Sequence, residues 1–177
     1  YKEKYLIVVT ARYAGSSKFA KGNRWAFFPA VSVGWRIDKE SFMQNIRQIN
    51  VLKLRGSVGE MGNQAIGNYE YLMSVLASKD YNYSFSDVLA GGAAIKDFVD
   101  ENISWETTRT YNLGLDFEAF DHRLLFSVDL YKKRTEGILR DVKIPAQIGN
   151  LNGPKQNIGV VGNDGIELNL QWRSTIK

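Results

Sequence analysis

The chain of 177 residues contains no cysteine, one histidine and only three prolines. Without cysteine it has neither a disulfide framework nor a thiolate metal site. One histidine cannot supply a cluster of histidine metal ligands. No run approaches the ~18 apolar residues that a membrane-spanning helix needs. These absences exclude zinc modules, disulfide scaffolds and helical membrane proteins, so the remaining information lies in the patterning of ordinary side chains.

The composition is that of a folded domain, with 44% hydrophobic and 24% charged residues. The net charge is +4, but lysine and arginine are scattered singly, so nucleic acid is not an expected partner. The chain opens on Tyr1 rather than Met, in strand-like sequence and with no signal peptide. We therefore expect it to be a piece of a longer protein.

Strict alternation of apolar and polar residues is the main signal. In "NRWAFFPAVSVGWRID" (23–38), every second residue from Trp25 to Ile37 is apolar or proline, while the intervening ones are mostly small or polar. A period of two predicts a β-strand with one apolar face. Six segments alternate in this way, at about 1–13, 24–37, 51–59, 107–120, 123–135 and 165–173. The predicted fold class is all-β, an antiparallel meander of about six long strands.

One segment shows helical spacing instead. Phe42, Ile46 and Ile49 predict a short helix around 39–49, with Asp38 as its N-cap. If neighbouring strands are antiparallel, this link and the tight turn at 121–123 lie at one end of the sheet. The longer connections 14–23, 60–106 and 137–163 lie at the other end and are expected on the extracellular side. Short turns opposite long loops are typical of an outer-membrane β-barrel.

A soluble β-sandwich also has one apolar face per strand, so alternation alone leaves both folds open. Two features favour a segment of a large transmembrane barrel. Strands of twelve or more residues exceed the ~5–6 residues usual in soluble domains. Trp25 and Trp35 also stand roughly 23 Å apart along the membrane normal, at ~3.3 Å per residue and ~45° tilt, which matches the distance between two aromatic girdles. The predicted membrane-interface aromatics are Tyr5, Tyr13, Trp25, Trp35 and Trp172. Pro29 cannot donate to a ladder, so we expect a bulge there.

Four blocks of sequence carry a specific resemblance. They are "ARYAGSSKFAKGNRWAFFPAVSVGWRI" (11–37), "LKLRGSVGEMGNQAIGNYEYL" (52–72), "ISWETTRTYNLGLDFEAFDHRLLFSVDLYKKRTEGIL" (103–139) and "GVVGNDGIELNLQWR" (159–173). In this order they resemble the barrel of SusC/RagA-type TonB-dependent outer-membrane receptors. The predicted domain is therefore a partial receptor barrel over 1–177. Six strands are about a quarter of the roughly twenty-two that such transporters have.

The resemblance implies a function and a set of partners. It implies a transporter in the outer membrane of a Gram-negative bacterium, surrounded by lipid, importing oligosaccharides or peptides beneath a SusD-type surface lipoprotein. Energy would come from TonB through an N-terminal region, and neither a plug nor a TonB box is found in these residues. Nothing in the resemblance implies a cofactor or an enzymatic step.

Candidate site residues are few. Aromatic residues of segment 60–106 could stack on sugar rings in an extracellular loop, or they could pack the loop against the barrel rim. The candidates are Tyr69, Tyr71, Tyr81, Tyr83 and Trp105. Charges on the polar face could line a solute path or pair across the wall; they are Arg12, Arg36, Lys53, Arg55, Asp116, Asp129 and Glu167. We predict no catalytic residue and no metal site, because the acidic group Asp97, Asp100 and Glu101 does not match a calcium loop.

Three functions are compatible with these patterns. The first is the importer. The second is a soluble extracellular β-sandwich that binds carbohydrate. The third is a barrel enzyme or a passive porin, and an enzyme would need a catalytic constellation that this sequence does not show. The sequence favours the importer.

Overall fold

The computed structural model describes residues 3–77, 81–95, 97–148 and 152–174. Six long strands form one sheet, and two short two-stranded sheets lie in a loop. The long strands are β1 (Tyr5–Gly15), β2 (Trp25–Arg36), β3 (Ile49–Asn63), β8 (Glu106–Ala119), β9 (Leu124–Asp141) and β10 (Lys155–Trp172). They lie in the order β1–β2–β3–β8–β9–β10, and every neighbouring pair is antiparallel. The predicted fold class is confirmed.

The register keeps the apolar residues of neighbouring strands on one side of the sheet. Ile7 is directly opposite Val33 on β2, and Leu113 is directly opposite Leu130 on β9. We call the side that carries these residues the apolar face and the other side the polar face. Register is well specified because a slip of one residue would exchange the two faces.

The connections fall at the two ends of the sheet as the alternation predicts. Residues 37–48 and 120–123 join strands at one end, the turn end. Residues 16–24, 64–105 and 142–154 join strands at the other end, the loop end. In the described part of the chain, no helix is long and apolar enough to cross a membrane.

The last strand begins earlier than predicted. β10 starts at Lys155 rather than about 165, and β9 continues to Asp141, so the connection predicted at 137–163 shrinks to 142–154. The register shifts at Asn157 and Gly159, and Gly137 on the facing strand has φ +67°. This bulge breaks the period of two that marks a strand in the sequence, while pairing with β9 still holds the residues extended.

The helix predicted around 39–49 is wrong. Two 3₁₀ turns, Ile37–Lys39 and Ser41–Met43, take its place, and β3 already begins at Ile49. Asp38 caps no helix; its carboxylate accepts the backbone N–H of Leu52 at 3.1 Å and pairs with Arg36 at 2.6 Å. Short helices depend on packing of an apolar face. Phe42 and Ile46 remain exposed, so they provide no such packing.

The bulge predicted at Pro29 is also wrong. Pro29 pairs in register with Ala11 on β1, and the β2–β3 ladder ends one residue away at Ala30 opposite Gly59. A proline is tolerated where its missing N–H removes no ladder bond. The end of the β2–β3 ladder is such a place.

The connection 64–105 contains two short two-stranded sheets. β4 (Val75–Ala77) pairs with β7 (Ala93–Ile95), and β5 (Tyr83–Phe85) pairs with β6 (Val88–Ala90). A parallel bridge between Asp97 and Asn152 joins this connection to the neighbouring one. Both loops are thereby held over the same end of the sheet.

Candidate functional site

The apolar face is uncovered by the described chain. Val33 and Leu113, on strands paired at both sides, are 50% and 49% exposed, and Leu170 on the edge strand β10 is 71% exposed. The buried hydrophobic residues of the described chain are few, namely Phe19, Phe28, Ile66, Ile103 and Ala119. A sandwich would bury such a face against a second sheet about 10 Å away. Here the sheet presents it outward, as a surface that requires an apolar environment.

The apolar residues form a band that crosses the strands obliquely. Register pairs place on one level Trp35, Leu54, Leu115, Val128 and Leu168. On β2 the band runs from Trp35 toward the loop end as far as Trp25, whereas on β10 it runs from Trp172 only to Ile166. Its midpoint therefore moves about six residues, or roughly 20 Å, over four strand spacings of ~4.8 Å. The inclination of roughly 45° equals the angle at which barrel strands cross a bilayer.

Aromatic side chains mark both margins of this band. At the turn end, the Tyr5 hydroxyl and the Trp35 indole N–H donate to Glu40 at 2.9 and 3.1 Å, and Lys4 adds an ion pair at 2.9 Å. At the loop end, Tyr13 stacks on Trp25 with ring centroids 5.0 Å apart. Tyrosine and tryptophan suit a boundary where the ring meets hydrocarbon and the polar atom meets water.

Glu40 is held in its charged form. Hydrogen bonds from Lys4, Trp35 and Tyr5 lower the pKa of the Glu40 carboxyl to about 2. No pattern in the sequence indicates this role, because Glu40 lies in the link after β2 rather than in an alternating strand. It fixes the polar atoms of two predicted interface aromatics at one point.

The polar face carries an ion cluster rather than isolated charges. Arg55 on β3 contacts Asp116 on β8 at 3.2 Å and Asp129 on β9 at 2.5 Å. Gly114 makes room for this arrangement, because a Cβ at that position would lie 2.5 Å from the guanidinium carbon. Three strands are thus joined by one side chain. Of the predicted polar-face charges, Arg55, Asp116 and Asp129 come together and Arg36 pairs locally with Asp38, while Arg12, Lys53 and Glu167 form no ion pair among the described residues.

A packed cluster fastens the loops to the sheet. Phe19, Ile66 and Ile103 are buried together, and Trp105 and Leu139 pack against them. The Trp105 indole N–H donates to the Arg24 carbonyl at 3.1 Å, and its ring lies 5.3 Å from that of Phe19. This is the packing role that the sequence left open for Trp105.

Asn157 holds the base of the loops at the bulge of β10. Its amide donates to the carbonyls of Ser104 and Gly137 at 2.9 and 2.7 Å, and its oxygen accepts the Ser104 N–H at 2.9 Å. The sequence does not indicate this role for Asn157, because its hydrogen-bond partners lie on other elements.

A large concave region lies between connections 64–105 and 142–154; we call it the loop pocket. Its volume is about 1170 Å³. The lining includes Asn68, Tyr69, Glu70, Asp97, Phe98, Lys143, Asn152 and Lys155. Lys155 pairs with Glu70 across it at 2.8 Å, and the Asn152 amide donates to Asp97 at 2.7 Å. An aromatic ring, amides and both signs of charge therefore surround one space.

The predicted aromatic candidates are distributed unevenly around this pocket. Tyr69 lines it, and the Tyr71 ring lies 6.4 Å from that of Tyr69. Tyr83 lies on the separate hairpin β5–β6, preceded by Tyr81, and neither lines the pocket. Asp97 also does not gather with other acidic groups, and within the described ranges no three potential metal ligands converge.

Comparison with known proteins identifies the family. The family model described as "TonB dependent receptor-like, beta-barrel" matches residues 1–176. The chain belongs to the TonB-dependent receptor family. The resemblance to the SusC/RagA type is also confirmed: the chain is 37% identical to the TonB-dependent receptor SusC of Bacteroides thetaiotaomicron over 175 residues. It is 39% identical to the TonB-dependent receptor P39 of Formosa agariphila over 170 residues.

The match covers most of this chain and a small part of each relative. It spans 98% of the chain and 17% of SusC, and 96% of the chain and 16% of P39. The solved structure titled the RagAB peptide importer in the "closed-closed" state superimposes with a TM-score of 0.86 at 31% identity, over 99% of this chain and 18% of that one. The siderophore receptor PirA from Pseudomonas aeruginosa shares the fold, with a TM-score of 0.60 at 14% identity. This receptor segment is thus a TonB-dependent barrel fragment of six strands.

Proposed function

We propose that the chain is one section of the wall of an outer-membrane importer of the SusC/RagA type. The observation that carries this proposal is the oblique, uncovered apolar band. Its inclination matches that of strands in a bilayer, and aromatic residues lie at both margins. The competing carbohydrate-binding sandwich would need a second layer over this face, and the comparisons do not favour it.

We further propose the topology and the partners of the complete receptor. The loop end faces the cell exterior beneath a SusD-type lipoprotein, and TonB acts through a region outside these residues. The solved relative titled RagAB is a peptide importer, and the sequence resemblance to SusC-type receptors suggests oligosaccharides as the other cargo class. The complete protein carries its cargo without transforming it, so no catalytic residue is assigned.

The loop pocket is the best candidate for contact with cargo or lipoprotein. At about 1170 Å³ it exceeds the usual range of ~300–1,000 Å³ for small-ligand sites. An oligomer with apolar faces and polar edges would use both the Tyr69 ring and the amides beside it. We propose Tyr69, with Tyr71 beside it, as the aromatic contact. Tyr81 and Tyr83 are outer-loop candidates away from the pocket, and Trp105 packs against the buried cluster of Phe19, Ile66 and Ile103.

Uptake by cells that carry the complete receptor tests this function. We expect cells to accumulate one of two probes, fluorescent oligosaccharides or fluorescent peptides, more than the other. Accumulation should stop when the gene for TonB or for the SusD-type lipoprotein is deleted. Tyr69→Ala should reduce uptake more than Tyr83→Ala, its matched control outside the pocket. Uptake that continues unchanged without TonB would show a passive pore and contradict the proposal.

A further inference from the structure

A group of charged residues lies on the apolar face, immediately beyond the loop-side margin of the band. Its members are Glu60 on β3, Arg109 on β8, Lys132, Arg134 and Glu136 on β9, and Asp164 on β10. On β1 and β2 the band continues instead to Tyr13 and Trp25. The charged group therefore follows the oblique margin. If the strands cross a bilayer as proposed above, Arg109 and Lys132 lie at a similar depth, that of the headgroups, and Arg134 and Glu136 extend from there toward the loop end.

Three cations of this group lie close together on the adjacent strands β8 and β9, in positions that their mutual repulsion disfavours. Arg109 and Arg134 are directly opposite each other on β8 and β9, and Lys132 is directly opposite Tyr111 on β8 and Asp164 on β10. Like charges in directly opposed positions destabilise a sheet. Glu60 pairs with Arg109, and Glu136 pairs with Arg134 at 2.7 Å, which offsets part of this repulsion. Lys132 forms no ion pair with any residue that the structure describes.

The same residues surround a pocket of about 290 Å³. It is lined by Thr107, Arg109, Tyr111, Lys132, Arg134 and Glu136. Three cations and one carboxylate border the space, because Glu60 on β3 and Asp164 on β10 do not line it. An anion in the pocket would separate the opposed guanidinium groups and give Lys132 a partner.

We propose that this pocket binds the phosphate of a lipid headgroup in the outer leaflet, an inference that rests on the proposed membrane-wall function. Arginine forks and a lysine ammonium suit the oxygens of a phosphate. Leu113 and Leu130 continue the surface directly toward the centre of the band, where the acyl chains of the same lipid would lie. Tyr111 stands between the two zones, at the position where an amphipathic ring is favoured. A phosphate free in solution would make no use of the apolar part.

The test uses the complete receptor purified in detergent, with three added probes. These are the phosphorylated glycolipid extracted from the outer membrane, the same lipid after enzymatic dephosphorylation, and inorganic phosphate. Binding is measured by native mass spectrometry and by the shift in melting temperature. Lys132→Gln is compared with Lys133→Gln, since the two lysines are chain neighbours on opposite faces of β9, and Lys132→Arg serves as the rescue variant.

We expect Lys132→Gln to weaken binding of the phosphorylated lipid about tenfold, because the variant loses one charge-assisted hydrogen bond to the phosphate. Lys133→Gln should have little effect, Lys132→Arg should retain binding, and dephosphorylated lipid should bind the unaltered receptor at least as weakly as Lys132→Gln binds the intact lipid. Equal effects of the two glutamine variants, equal binding of both lipids, or equal protection by inorganic phosphate would overturn the inference.

Heat-modifiable electrophoretic mobility shows whether each variant, extracted from the outer membrane, is a folded barrel. It therefore distinguishes a failure of the proposed function from a failure of the phosphate site. An unaltered receptor that never enters the membrane would contradict the proposed function itself. Receptors that all insert as folded barrels but bind lipid alike would contradict only the phosphate site.

Discussion

Val31 and Ser32 are neighbours on β2 and face opposite sides of the sheet, and their surroundings have little in common. Val31 joins a continuous apolar surface that no other described part of the chain covers, with Val9 and Val58 directly opposite it. Ser32 belongs to a surface of small side chains near the ion cluster of Arg55. One backbone thus serves two environments at once. The apolar face depends on its surroundings for stability, whereas the polar face is organised by contacts within the chain.

Placing a charge on each face gives the largest expected difference. In the complete receptor, Val31→Arg should lower the free energy of unfolding by about 2–4 kcal/mol, because position 31 lies near the middle of the band on β2, where a bilayer would be driest. Ser32→Arg, one residue away, should cost far less, because the polar face gives the new side chain access to water and to carboxylates. Urea titration in lipid vesicles measures both variants. Equal costs would mean that the apolar face does not meet lipid.

Ion pairs on the two faces should also differ, by a smaller amount. The Arg55–Asp129 pair is half-buried, with side chains 33% and 19% exposed, whereas Arg109 in the pair with Glu60 is 55% exposed. We expect a double-mutant cycle on Arg55 and Asp129, each changed to alanine, to give a coupling of about 1–2 kcal/mol. The matching cycle on Arg109 and Glu60 should give under ~1 kcal/mol. A larger coupling energy for Arg109 and Glu60 than for Arg55 and Asp129 would contradict the interpretation that contacts within the chain organise mainly the polar face.

Much of this contrast could be predicted from the sequence, because alternation reports directly which side chains share a face. The antiparallel order follows from the same pattern together with the lengths of the connections. The prediction failed where the period is interrupted. At the bulge near Asn157 and Gly159 the strand continues only because β9 pairs with it. In the link after β2, helical spacing at Phe42 and Ile46 has no apolar surface to pack against.

The site was less predictable, because its contacts join residues distant in sequence. Trp105 looks like any loop aromatic until Phe19 and Phe28 are placed beside it. Glu40 has no distinguishing neighbour in the chain, yet it accepts bonds from Tyr5 and Trp35. Alternation therefore determines which face a residue occupies, and only the register and the loop packing determine its partners.

The smallest expected effect concerns Glu40, the carboxylate that accepts hydrogen bonds from Tyr5 and Trp35 at the turn-end margin. Its pKa in the folded protein is lowered to about 2 from 4.5, so its bonds stabilise the folded state above the unfolded value. This contribution is lost as the pH falls from about 4.5 toward 2. Glu40→Gln should therefore melt below the unaltered receptor at neutral pH, and the two melting temperatures should converge near the acid limit. Glu3→Gln, a nearby carboxylate outside the cluster, is the control and should leave the pH profile unchanged. A difference between Glu40→Gln and the unaltered receptor that persists at pH 2 would show that shape, rather than charge, orders the aromatics at this margin.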